Sequence, residues 1–210
     1  MIDLTRRGLM AAAAAFTAVP AFAQDDTESG TAPVIEDIIL GDPDAPVEVI
    51  EYVSFTCPHC ATWHREVYPR IREEYVDTGR VRFVMREVYF DRFGLWGSML
   101  ARCDGGMRFY GIADLLLSQQ AEWSRAGDPA AIVTAMRRIG AQAGLSAEQM
   151  DQCLTDQAMA EALVANYQAN AEEHGITGTP SFVIDGERYS NMGFDAMSEI
   201  IEERLAANES

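Results

Sequence analysis

The chain has 210 residues, 48% of them hydrophobic, with 33 acidic against 16 basic residues and a formal net charge of −17. That size fits one domain with a core large enough to fold without staples. The acidic balance lacks the basic footprint that nucleic-acid binding requires.

Residues 1–23 predict a cleaved export signal. Arg6 and Arg7 give a positive start, Gly8 to Val19 is apolar but too short to span a bilayer, and Ala21-Phe22-Ala23 fits the small-x-small cleavage rule. "TRRGLM" also resembles a twin-arginine signal; the competing reading of the segment is an Ala-rich helix of the folded domain. No later stretch is apolar enough to cross a bilayer. The expectation is a soluble protein exported to an oxidising compartment such as the periplasm. Residues 24–34 read as a flexible tail.

Val47 to Phe55, "VEVIEYVSF", is β-branched and aromatic and predicts a buried strand. A helix follows at once, with Cys60, His64, Val67 and Ile71 on one face. Gly79 ends the helical stretch, and Arg80 to Val88, "RVRFVMREV", predicts a second strand. This is a strand–helix–strand unit suited to a parallel crossover. From Phe93 to His174 the pattern is almost wholly helical. Ser146 to Gln149, "SAEQ", reads as a capping box, and a long helix closes at Gly175. "GTPSFVIDGERYS" then predicts a hairpin turning at Asp185-Gly186. An amphipathic helix from Phe194 to Ala206 ends the chain. Residues 35–90 and 175–210 form an α/β domain in this reading, and 91–174 a helical insertion.

"CPHC" at the strand–helix junction carries the chemistry. Haem attachment needs a histidine after the second cysteine, and Ala61 stands there. A zinc site has candidate ligands in Cys57, Cys60, His59 and His64, but no second C-x-x-C follows to complete a tetrahedron. A structural disulfide would close too small a loop to restrict the unfolded chain much. A redox pair has a mechanism. Pro58 suits the first helical position, which makes Cys57 the N-cap. A Cys57 thiolate would face the free N–H groups of the first turn, including that of Cys60, and the positive end of the helix dipole. His59 adds a further donor. Both effects lower the Cys57 pKa and make the disulfide oxidising, with Cys60 as the buried resolving thiol.

"CPHC" after "EYVSF", "GTPSFVIDG" and the intervening helices together resemble the DsbA-type thiol:disulfide oxidoreductases of the thioredoxin superfamily. The resemblance runs from Ile35 to about Ala206. It implies a thioredoxin-like fold with an inserted helical subdomain, no cofactor, and a cis-proline loop in which Thr179-Pro180 faces the redox pair. A cis bond there would turn the backbone toward the cysteines, where a client chain must lie. The resemblance also implies a buried acid at Glu51 that relays a proton to or from Cys60. The alternation of Val49, Glu51 and Val53 puts that carboxyl on an apolar face; the alternative is a strand glutamate turned to solvent. His64 reads as a helix-face histidine near the core, and His174 as a cation at a helix C-terminus. Cys103 and Cys153 remain, most simply bonded to each other as a structural disulfide; a second redox-active pair is the rival reading.

The function expected is a monomeric exported oxidase. It would donate the Cys57–Cys60 disulfide to reduced secreted clients and be reoxidised by a membrane partner. The alternatives are a disulfide isomerase or reductase of the same superfamily, and a non-enzymatic thioredoxin-like binding module.

Overall fold

The structure is a computed structural model that describes residues 33–208. The expected export signal and nearly all of the expected tail lie outside those residues. A five-stranded mixed sheet, in the order β1-β3-β2-β4-β5, forms the centre. It comprises β1 (Ile39–Leu40), β2 (Val47–Val53), β3 (Val81–Glu87), β4 (Ser181–Ile184) and β5 (Glu187–Ser190). Strands β2 and β3 run parallel, with Glu51 opposite Met85. Strand β4 lies antiparallel on the other side of β2, with Glu51 opposite Phe182.

The parallel pair requires a crossover, which α1 (Pro58–Glu66) and α2 (Tyr68–Ile71) supply, followed by a π-helical turn at Arg72–Val76. The sequence pattern alone predicts one continuous helix here. It breaks at Val67, whose φ/ψ of −115°/−48° departs from helical values. Pro69 explains this, because it has no N–H to continue the ladder and restricts the residue before it. The face survives the break: Cys60, His64, Val67 and Ile71 are all buried.

Between β3 and β4 run six α-helices: α3 (Arg92–Ala101), α4 (Phe109–Ser118), α5 (Gln120–Trp123), α6 (Pro129–Gln142), α7 (Ala147–Thr155) and α8 (Gln157–Glu173). Their ends follow local rules. Asp91 accepts from the N–H groups of Phe93 and Gly94 at the start of α3, and Ser146 and Gln149 form the reciprocal capping box of α7. The hairpin turns through Asp185 and Gly186, both at positive φ (44° and 83°), which Asp tolerates and Gly prefers. Helix α9 (Phe194–Asn208) packs back on the sheet through Met197, Ile201 and Leu205.

The strand period decides which side chains meet. Val47, Val49 and Val53 face one layer, joined there by Phe83, Met85 and Phe182 from the neighbouring strands and by Leu100, Phe109, Leu116 and Met136 from the insertion. Ile50, Tyr52, Val84 and Val183 face the other layer, where Tyr167 of α8 covers them. The insertion and the sheet thus share a core, and β2 delivers its last residues to the place where the two meet. Among the described residues no helix is long and apolar enough to cross a membrane.

Candidate active site

Cys57 stands at the N-cap of α1 in an extended conformation, with Pro58 at the first helical position. Both cysteines of the motif are free thiols in this structure, Cys57 half-buried and Cys60 buried. The Cys57 thiol donates to the Thr179 carbonyl at 3.4 Å. The Thr179–Pro180 bond is cis, and Pro180 is buried at the head of β4. Residues from opposite ends of the sequence therefore meet at one sulfur.

The two thiols are driven apart electrostatically. The Cys57 pKa is pushed down to about 5, chiefly by the hydrogen bond from the Cys60 thiol, against the opposing effect of burial. Smaller contributions come from the Thr179 side-chain hydroxyl and from the main-chain N–H groups of Cys60 and His59. Those N–H groups make no cap hydrogen bond to the thiol; they act on the thiolate once it forms. The His59 ring is exposed, so this residue influences the sulfur through its backbone. The Cys60 thiol is pushed strongly up, first by its bond to Cys57, then by burial, then by the charge of Glu51.

Glu51 is fully buried, and neither carboxylate oxygen has a hydrogen-bond partner. Its strand neighbours Met85 and Phe182 are equally inaccessible. Burial first, and the Cys57 charge second, raise its pKa to about 8. A carboxyl that holds its proton near neutrality, next to a thiol that resists losing one, is suited to proton transfer.

The remaining cysteines, Cys103 and Cys153, are bonded to each other, with their Cα atoms 5.7 Å apart. His64 lies on the buried face of α1, with 4% exposure, stacked on Tyr68. Its Nε2 is 2.9 Å from Asp114 of α4, a partner the sequence did not reveal. His174 caps the C-terminus of α8, and its Nδ1 lies 2.6 Å from the Tyr52 hydroxyl.

Two more residues at the site escaped sequence reasoning. Gln120 of the insertion donates to the carbonyls of Phe55 and Cys57 at 2.8 and 2.9 Å. Asp91 accepts from the Thr56 hydroxyl at 2.7 Å. Neither bond has a local signal, because each joins residues more than thirty positions apart in the chain. No group of side chains with metal-binding geometry occurs among the described residues.

Comparison with known proteins agrees with this geometry. A family profile described as Thioredoxin matches residues 34–203. A protein of Rickettsia bellii, provisionally named a protein-disulfide oxidoreductase, is 33% identical over 170 residues. That match covers 80% of this chain and 64% of the relative, so the chain spans less than two thirds of the relative's length. Among solved structures, alpha-DsbA1 of Wolbachia pipientis superposes with a TM-score of 0.74 at 28% identity, covering 84% of this chain and 94% of that one. A structure described as a protein-disulfide isomerase from Novosphingobium aromaticivorans gives 0.71 at 25% identity, covering 80% and 97%. With its mixed sheet, its inserted helices and DsbA proteins as structural neighbours, the chain belongs to the thioredoxin family.

Proposed function

We propose that this protein is an exported thiol:disulfide oxidoreductase of the DsbA type that donates its Cys57–Cys60 disulfide to reduced client proteins. The observation that carries the reading is the asymmetry of the pair. One sulfur is accessible at a helix N-terminus against the Thr179 carbonyl, and the other is sealed beneath it near an unpartnered buried acid.

The steps follow from that asymmetry. A client thiolate attacks the Cys57 sulfur, the Cys57–Cys60 bond breaks, and the electron pair goes to Cys60. A thiolate on Cys60 is strongly disfavoured, so it takes a proton, and Glu51 is the nearby acid that can supply it. The second client thiolate then attacks the client sulfur of the mixed disulfide. Cys57 leaves as the favoured thiolate. The client is oxidised by two electrons and the protein is reduced by two. A partner in the membrane must then return it to the disulfide form. An open groove of about 270 Å³ that runs along α1 from His59, bounded also by Trp63, Val67 and Met192, offers room for the client chain. Pro58, His59, Thr179 and Pro180 shape the entry, and the export signal of residues 1–23 would carry the chain to the periplasm. The Cys103–Cys153 bond serves as a structural staple in this reading.

Equilibration of the pair in glutathione buffers tests the function. An oxidase should give a potential near −120 mV, whereas a value near −270 mV would make the protein a reductase. A value near −180 mV, with efficient repair of scrambled disulfides, would favour an isomerase.

A further inference from the structure

Gln120 is the first residue of α5 and is only 6% exposed. A side-chain amide has two N–H donors. The Gln120 Nε2 bonds to both carbonyls that flank Thr56, those of Phe55 and Cys57. The Cys57 carbonyl also accepts the first hydrogen bond of α1, from the Ala61 N–H at 3.2 Å. The residue that carries the accessible sulfur thus has its peptide oxygen held by two donors, one from its own helix and one from the insertion. In the same segment Asp91, the cap of α3, holds the Thr56 hydroxyl.

We propose that Gln120 is a positioning residue for the redox pair, holding the Cys57 backbone at the entry of α1 and turning the positive end of its amide dipole toward the segment that must carry the thiolate. The proposal rests on the redox reading above. Fixed dipoles in a buried setting act more strongly than they would in water and need no reorganisation when charge forms. Linkage makes the effect reciprocal. If the thiolate strengthens the Gln120 bonds, those bonds favour the thiolate, and the reduced form grips the insertion more tightly than the disulfide form does. A plain strut would stabilise both redox forms equally and leave their equilibrium unmoved.

The test uses the full chain carrying Gln120→Met, similar in volume but without donors. Thiolate absorbance against pH should show a raised midpoint. The equilibrium with glutathione should move about tenfold toward the disulfide, a potential about 30 mV more negative. The reduced form should lose more thermal stability than the oxidised form. Equal losses in both forms, with titration and equilibrium unchanged, would overturn the proposal and leave Gln120 a strut. If Q120M does not fold, Q120E keeps the shape and, protonated in so buried a place, one donor. It should shift the titration in the same direction by less, and an unmoved midpoint there would equally overturn the proposal. Oxidation of a dithiol peptide by the wild-type protein runs alongside. Its absence would remove the oxidase reading, whereas normal oxidation with unmoved variants removes the Gln120 assignment alone.

Discussion

Glu51 and Cys57 are both acids, and the fold moves them in opposite directions. For Cys57 the folded value lies near 5 against 9.0 for an unperturbed thiol. Absorbance of the reduced protein should therefore show thiolate forming with a midpoint near 5, and a midpoint above 8 would contradict the site as described. The sign for stability follows from proton binding. A lowered thiol contributes its full stabilisation above pH 9 and loses it as pH falls through about 5. Glu51 behaves in the reverse sense. Its folded value of about 8 lies above the 4.5 of an exposed carboxyl, so its contribution is complete below pH 4.5 and is lost as pH rises through about 8. In the reduced protein the two slopes oppose each other. In the disulfide form Cys57 no longer titrates and burial alone holds the Glu51 proton. The oxidised protein should lose stability as pH rises above about 4.5, over a window that closes below the 8 of the reduced protein, by on the order of a few kcal/mol. Glu51→Gln should flatten that profile, and denaturant titrations of both proteins across the range would show it. A wild-type profile as flat as that of E51Q would mean that Glu51 is hydrated in solution.

At the scale of elements, what the sequence discloses is what short-range physics decides. Strand β2 is legible from its run of β-branched residues, and the start of α1 from Pro58. The hairpin is legible from Asp185-Gly186, and the end of α8 from Gly175. The alternation of β2 also places Glu51 on the buried face, although it does not say that the carboxyl lacks a partner. The break at Val67 had a visible cause in Pro69, but periodicity ran through it, because the apolar face on either side stays in phase. The contacts of Gln120, Asp91 and Asp114 with the redox segment were not legible. Their roles depend on how the inserted helices dock on the redox segment, and no local spacing records that. The staple within the insertion is open to test at this same scale. Cys103 follows α3 and Cys153 lies in α7, at a sequence separation of 50. By loop entropy the bond stabilises the chain by up to about 4 kcal/mol. C103S/C153S should melt at a lower temperature while still oxidising a dithiol peptide through Cys57 and Cys60. Loss of peptide oxidation in a variant that remains folded would mean that the second pair takes part in the redox chemistry.

The full sequence carries a formal charge of −17, and removal of residues 1–23, which hold Arg6, Arg7 and Asp3, would leave the molecule still more acidic. Many of its arginines are already engaged in ion pairs, such as Arg86 with Asp37, Arg82 with Glu48 and Arg80 with Glu202, so the field reaching an approaching peptide is set by the excess carboxylates. Such a field acts before any contact is made. It raises the association rate of basic partners and lowers that of acidic ones, and it fades with a screening length of about 8 Å at physiological salt. The chemistry at Cys57 is short-range by comparison and largely indifferent to salt. The two contributions can therefore be separated by ionic strength. Two dithiol peptides of equal length, one rich in lysine and one in glutamate, should be oxidised at rates differing by about tenfold or more in dilute buffer, the basic one faster. Raising the salt to about 1 M shortens the screening length to about 3 Å and should bring the rates together, slowing the basic peptide and speeding the acidic one. Rates that already agree in dilute buffer would show that local fit along the groove beside Trp63 and Met192, rather than the charge of the molecule, selects what reaches the disulfide.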